Sequence, residues 1–193
     1  MHSAAEPAPG NGAMNKADHL IAGGLSVLLA LWLLPFARLG FDPHHDGIML
    51  KPALDVLSGQ TLFRDTFMQY GALSCYLQVG ALAFQPTLLA LKWQTVLAYA
   101  VTLYLLYATW RTILPRSLVI LSCVLCALFL PAYEKNWLNE PWILTPWSSV
   151  LAMLFQVWAL HATLRIIHHD QARAWSGLLG VAVAATFWCR QPV

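Results

Sequence analysis

The sequence predicts an all-α fold, a polytopic bundle of transmembrane helices. Charged residues make up only 10% of the 193 residues, whereas about a quarter are charged in an ordinary soluble domain. Apolar runs close to the ~20 residues that cross a bilayer recur along the chain, and the mean hydropathy is +0.58. The formal net charge of +2 is too small to indicate a nucleic-acid partner. The lipid bilayer is therefore the first partner that we predict.

The N-terminal region is predicted to form a tail that precedes the first transmembrane span. Residues 1–18 are rich in Ala, Pro and Gly, and we predict a flexible tail there, followed by a transmembrane module over residues 19–193. The first apolar run, about 20–39, resembles a signal peptide in its hydropathy. No small-residue cleavage site follows it, so we predict an uncleaved first span.

Four later apolar runs are predicted to cross the membrane, at about residues 88–110, 117–131, 145–167 and 175–190. A shorter apolar stretch, 71–84, has fewer residues than a crossing needs. We predict that it forms an interfacial helix inside a long outer loop of residues 40–87. The last run reaches the end of the sequence without a polar tail, and we therefore expect the N-terminal part of a longer protein.

Arginines near the helix ends predict the orientation. Arg111 and Arg116 lie in one polar turn, and Arg165 and Arg173 lie in another. Positive charge accumulates on the cytoplasmic side of membrane helices. We therefore expect both turns and the N-terminus inside, and the 40–87 loop outside. The alternative is that 71–84 crosses the membrane as a sixth span, which would place both arginine turns outside.

The 40–87 loop concentrates the groups that can do chemistry. A polar turn, DPHHDG at residues 42–47, is shaped by a proline and a glycine. A carboxylate in such a turn can act as a general base on an acceptor hydroxyl, hold a divalent cation, or cap the turn. Adjacent histidines seldom reach one metal ion, so a catalytic zinc site is not predicted. The loop holds four of the nine acidic residues: Asp42, Asp46, Asp55 and Asp65.

Residues 59–73 read GQTLFRDTFMQYGAL, which fits the pattern G-x-x-(Y/L)-(F/Y)-R-D-x-F-x-x-Y-G-x-L. This stretch resembles the first outer loop of polytopic GT-C-type glycosyltransferases, a group that includes protein O-mannosyltransferase-like and aminoarabinose-transferase-like enzymes. With the order of helices around it, the resemblance covers roughly residues 20–193. It implies inverting transfer of a sugar from a polyprenyl-phosphate donor to a glycan, lipid or protein acceptor. The expected place is the outer face of a bacterial plasma (inner) membrane.

The resemblance also implies site residues. It places an acidic residue of the first loop in the active site, as the base for the acceptor or as a carboxylate associated with a metal. By position this residue is Asp46, with Asp42 as the alternative, and a divalent cation held by these two carboxylates is the one cofactor expected. Basic side chains are suited to the donor phosphate. The residues expected to bind substrate are His45, Lys51, Arg64, Asp65, Tyr70 and Arg190.

A second class of function fits the same features. A non-enzymatic polytopic membrane protein, either half of a transporter or a lipid-binding partner subunit, would use the 40–87 loop as a lid or a docking surface. A transport path through the bilayer is typically marked by polar residues buried in several spans. Few such residues are present here, and the glycosyltransferase is our first expectation.

Overall fold

The computed structural model describes residues 14–40, 42–129, 144–168 and 172–190. Across these ranges the protein is all-helical, with seven α-helices and no β-strand; a single bridge joins Leu62 and Thr66. The end of the predicted span 117–131 and residues 1–13 of the predicted tail lie outside the described residues. The helices are α1 (Lys16–Ala37), α2 (His45–Leu57), α3 (Ala72–Phe84), α4 (Leu88–Trp110), α5 (Arg116–Phe129), α6 (Ser148–His168) and α7 (Ala172–Arg190).

Three of the described helices are long and apolar enough to cross a membrane. These are α1, α4 and α6, with 22, 23 and 21 residues. At about 1.5 Å per residue each spans roughly the 30 Å of a hydrocarbon core. Helices α3 and α5 are apolar but shorter, with 13 and 14 residues. The three long helices indicate a membrane protein, and crossings by α5 and α7 stay predictions.

Helix α1 begins earlier than the predicted first span, so the last residues of the predicted tail are helical. Asn15 and Asp18 form a capping box: the Asn15 side chain accepts the Asp18 N–H at 2.9 Å, and the Asp18 side chain accepts the Asn15 N–H at 3.2 Å. This exchange satisfies N–H groups that a helix start leaves without partners. The tail prediction is wrong for residues 16–18.

Helices α1 and α4 pack against each other and run in opposite directions. At one end, the Tyr107 hydroxyl donates to Asp18 at 3.1 Å. At the other end, Lys92 Nζ donates to the Gly40 carbonyl at 3.0 Å. Residues 42–87 therefore leave α1 and enter α4 at the same end of the bundle, which we call the loop end. The opposite end carries Arg111, Arg116 and Arg165, and we call it the arginine end.

Helices α6 and α7 complete the bundle. Gln78 Nε2 donates to the Pro146 carbonyl at 3.1 Å, which fixes the start of α6 at the loop end. Thr109 Oγ1 lies 3.3 Å from His161 Nδ1, so α6 finishes beside the end of α4. Helix α7 packs along α6 and returns to α3. A Cβ at Gly71 would lie 1.9 Å from the Trp188 carbonyl oxygen, so only glycine permits this approach.

Two clusters of buried apolar side chains hold the helices together. The larger cluster joins α1, α4 and α6 and includes Leu33, Leu103 and Leu151. The smaller lies at the loop end, where Met49 of α2 and Cys75 of α3 are fully buried. Burial of such side chains contributes about 1.5–3 kcal/mol each in water. The smaller cluster anchors the helix that carries Asp46.

The buried face of α2 differs from the sequence expectation. The sequence predicts a short helix over 48–57 with Ile48, Leu50, Leu54 and Leu57 on one side, yet Leu57 is 39% exposed and the other three are only partly buried. Met49 and Ala53 are fully buried instead. They follow Asp46 at the i, i+3, i+7 spacing of one helix face, so the face turned to the bundle is the one that carries the carboxylate.

Candidate functional site

Asp46 is a fully buried carboxylate at the loop end. It lies in the first turn of α2, where the helix dipole favours a negative charge. Its Oδ2 accepts the Asp42 N–H at 3.0 Å and lies 3.5 Å from Lys92 Nζ. Its Oδ1 has no hydrogen-bond partner in the part of the chain that the structure describes. One oxygen is thus held in place and the other is available to accept a hydrogen bond.

The surroundings of Asp46 adjust its proton affinity. Burial raises the pKa of the Asp46 carboxyl, and this is the largest effect on it. The Asp42 N–H and the Lys92 ammonium act in the opposite direction. A carboxylate with a raised pKa is a stronger base, which is the property that a general base requires.

Lys92 was not among the predicted site residues. It lies near the start of α4, is 1% exposed, and donates to the Gly40 carbonyl at 3.0 Å. A lysine in an apolar run is typically drawn toward the headgroups, so the sequence offered a weak signal. The structure turns Lys92 inward, where its ammonium lies 3.5 Å from Asp46 Oδ2.

Asp42 caps α2. Its Oδ1 accepts the N–H groups of His44 and His45 at 2.9 and 3.0 Å, and its Oδ2 lies 2.5 Å from His45 Nδ1. These contacts, the one with the His45 side chain first, hold the pKa of the Asp42 carboxyl below its usual value. Both oxygens are engaged, so Asp42 is built to position the start of α2 and, through it, Asp46.

Three aromatic rings lie beside this carboxylate pair. The His45 ring is 4.8 Å from that of Trp147, and the Tyr70 ring is 6.1 Å from Trp147 in an edge-to-face arrangement. The structure thus brings the predicted residues His45 and Tyr70 together, through Trp147 as an unpredicted third member. Nine tryptophans in the chain gave no reason to single out this one.

The other predicted residues lie on the exposed side of the loop end. Lys51 Nζ binds Asp55 at 2.7 Å, and Arg64 binds the neighbouring Asp65 at 2.8 Å. Arg190 is exposed at the end of α7. Among the described residues, none of Lys51, Arg64, Asp65 and Arg190 forms a hydrogen bond or ion pair with Asp46. We call these exposed groups of the loop end, Lys51, Arg64, Asp65 and Arg190, the exposed polar surface.

A divalent cation fits these residues poorly. Ca²⁺ takes six to eight oxygen ligands, and Mg²⁺ is usually held by one or two carboxylates together with waters. Here Asp42 has both oxygens engaged and Asp46 has one to offer. The Lys92 ammonium, 3.5 Å from Asp46 Oδ2, would also repel a metal ion. Within the described ranges, no group of three or more His, Cys, Asp and Glu side chains gathers. We therefore derive no step through a metal.

Comparisons with known proteins identify no relative. Family models, curated proteins and solved structures all yield no match to this chain.

Proposed function

We propose that this chain is the membrane module of a glycosyltransferase that moves a sugar from a polyprenyl-phosphate donor to an acceptor on the outer face of the membrane. The proposal rests on the buried carboxylate of Asp46 at one end of a bundle of apolar helices. One of its oxygens accepts a hydrogen bond, and the other has no hydrogen-bond partner among the described residues. The pattern of residues 59–73 gives the reaction class by resemblance.

The proposed architecture is a polytopic bundle with the loop end outside. Arg111 and Arg116 at the opposite end favour a cytoplasmic location for that end. The N-terminus then lies inside, and α2 and α3 lie at the outer surface between the first two long spans. Each of these two helices has 13 residues, about 20 Å at 1.5 Å per residue, too short to cross alone. The bacterial plasma membrane follows from the resemblance.

Asp46 is the proposed general base. Its Oδ1 takes the proton of the acceptor hydroxyl as the hydroxyl oxygen attacks the anomeric carbon of the donor sugar. The bond from that carbon to the phosphate oxygen breaks, and the phosphate leaves with the electron pair, which inverts the sugar carbon. Asp42 and Lys92 position Asp46. The Asp42 backbone N–H donates a hydrogen bond to Oδ2, and the positively charged Lys92 ammonium attracts the same oxygen.

The exposed polar surface is the proposed site for the donor phosphate. Lys51, Arg64 and Arg190 supply the cationic groups, and a guanidinium contacts two phosphate oxygens at once. Asp65 holds Arg64 in place. The rings of His45 and Tyr70, packed on Trp147, form the wall on which a sugar ring stacks.

A specific observation favours the second candidate, a non-enzymatic membrane protein. Asp46 of α2 has no exposed surface and lies beside Lys92 of α4, so a substrate reaches Oδ1 only after the groups that cover it move. In the non-enzymatic function the Asp46–Lys92 pair joins those helices permanently and never meets a substrate. Loss of Asp46 would then change folding and leave membrane lipids unaltered.

The test is the pool of polyprenyl-linked sugars in cells that lack the gene, measured by mass spectrometry after complementation. We expect one polyprenyl-phosphate sugar to accumulate in the deletion, to clear with the wild-type gene, and to persist with Asp46→Asn. Removal of a general base lowers a rate by about 100-fold or more.

The matched control is Asp18→Asn. Asp18 is also a buried carboxylate, but it lies at the arginine end, where it binds Arg111 and Arg116, so this variant, compared at equal amounts of folded protein, should clear the lipid like the wild type. An unchanged lipid pool in all strains would reject the transferase. A pool that Asp46→Asn clears as well as the wild type would remove Asp46 from the chemistry.

A further inference from the structure

Two further buried polar atoms at the loop end have no partner. Among the described residues, Gln78 Oε1 of α3 and Ser148 Oγ of α6 make no hydrogen bond, as is also true of Asp46 Oδ1 of α2. Each of these side chains is 1% exposed or less. A buried polar atom without a partner costs about 1–3 kcal/mol, and native proteins leave few of them. Three at one end of the bundle require an explanation.

Contacts of the neighbouring groups place these three side chains at one junction, where α2, α3 and the start of α6 meet. Gln78 Nε2 lies 3.6 Å from Met49 Sδ, and Met49 follows Asp46 by one turn on the buried face of α2. The same Nε2 donates to the Pro146 carbonyl at 3.1 Å, two residues before Ser148. That bond also fixes the amide, because a carbonyl accepts only from nitrogen, so the oxygen of Gln78 is the free atom.

The chemistry of the three atoms defines what they bind. Asp46 Oδ1, when ionised, and Gln78 Oε1 accept hydrogen bonds and donate none, whereas Ser148 Oγ does both. The complementary ligand brings two donors close together and at least one acceptor. Two neighbouring hydroxyls of a sugar ring meet this requirement, while the single hydroxyl of a serine or threonine side chain leaves one of the two acceptors empty.

We infer that Asp46, Gln78 and Ser148 form an acceptor subsite that binds two neighbouring hydroxyls, and hence that the acceptor is a glycan. One hydroxyl donates to Asp46 Oδ1 and is the nucleophile. Its neighbour donates to Gln78 Oε1 and accepts from Ser148 Oγ. The inference rests on the proposed function for the identity of the nucleophile, and it disfavours a protein acceptor, whose serine or threonine side chain offers one hydroxyl.

The test is calorimetric titration of the purified chain in lipid nanodiscs. The probes are the methyl glycosides of mannose, glucose and galactose, which keep neighbouring hydroxyls, and N-acetylserinamide, which has one hydroxyl. We expect at least one glycoside to bind and the serine probe not to bind. Gln78→Met and Ser148→Ala should each weaken the glycoside by about tenfold or more, the loss that one hydrogen bond typically brings.

Gln94→Met is the matched control. The Gln94 amide also donates to a backbone carbonyl, that of Leu77, at 2.8 Å, and its loss should leave glycoside affinity unchanged. Ser148→Ala removes no observed hydrogen bond, so it decides the question if Gln78→Met fails to fold.

Three results overturn the subsite: binding of the serine probe in place of a glycoside, no glycoside binding, or glycoside binding that neither variant weakens. Because the titration needs no turnover, its outcome is separate from that of the transferase test. Glycoside binding in a protein that leaves the lipid pool unchanged would retain the subsite and reject the transferase. Sugar transfer without glycoside binding would retain the transferase and reject the subsite.

Discussion

Two buried carboxylates lie at opposite ends of the bundle, and their surroundings differ. At the arginine end, Asp18 accepts hydrogen bonds from Tyr107, Arg111 and Arg116, at 3.1, 3.3 and 2.9 Å, and from the Asn15 N–H. At the loop end, Asp46 has one N–H donor, one lysine at 3.5 Å and an oxygen with no partner among the described residues.

The difference separates structure from chemistry. Asp18 joins the starts of α1 and α5 to the end of α4, and both of its oxygens are satisfied, as expected of a charge buried to hold helices together. Asp46 retains an unused acceptor in a place where burial makes that costly. Sites that retain an energetically unfavourable buried polar group are commonly those that bind a ligand or take part in a reaction. Under the proposed function, the arginine end therefore contributes stability and the loop end contributes the chemistry.

The largest expected effect is all-or-none labelling of the two ends from opposite sides. Gln60→Cys at the loop end should react with a membrane-impermeant maleimide in intact cells, and Ile113→Cys at the arginine end only after lysis. Both positions are exposed, and the native Cys75, Cys123 and Cys189 are buried. Position 60 avoids Gly59, whose φ of +96° disfavours any side chain.

Labelling in the reverse order would invert the orientation and place the proposed site inside. Labelling of both cysteines from outside would contradict the antiparallel packing of α1 and α4, which places these two positions at opposite ends.

A smaller effect concerns the pH at which Asp46 works. The Lys92 charge lowers the pKa of the Asp46 carboxyl, against the larger effect of burial. Lys92→Met removes that charge, so the pKa rises and a higher pH is needed to ionise the base. We expect the rising limb of the pH–rate profile to move to higher pH.

The control for this shift is Lys16→Met, which removes one positive charge from the exposed start of α1 at the arginine end. Its profile should coincide with that of the wild type. A Lys92→Met profile that stays in place, or moves to lower pH, would show that Asp46 is not the group whose ionisation limits the rate.

Much of the helical framework was readable from hydropathy, because apolar runs of bilayer length leave few alternatives. The bounds of α4 coincide with the predicted span 88–110. The start of α1 was missed although Asn15 and Asp18 have the spacing of a capping box. This signal was hidden by the Ala- and Pro-rich residues before it.

Only part of the candidate site could be predicted from the sequence. Asp46 could be selected because the proline and glycine beside it shape a local turn, and local chemistry is visible in sequence. Lys92, Gln78 and Trp147 could not be selected, because their roles depend on contacts across 46, 29 and 102 positions of sequence, from Lys92 to Asp46, from Gln78 to Met49 and from Trp147 to His45. Such contacts arise only when helices pack.

The most direct test compares Asp46→Asn with Asp18→Asn in two measurements on each protein, the free energy of unfolding and the transfer rate per folded molecule. Asp18→Asn should lower the unfolding free energy by about 1–3 kcal/mol, since an amide has one accepting oxygen in place of two and lacks the charge that the arginines contact. Its folded fraction should keep the wild-type rate. Asp46→Asn should lose less stability and about 100-fold or more in rate.

The opposite pattern would contradict the account. If Asp46→Asn unfolds the protein while its remaining folded molecules transfer sugar at the wild-type rate, Asp46 is a structural partner of Lys92. The loop end would then hold the bundle together as Asp18 does at the other end, and the chemistry would have to lie elsewhere.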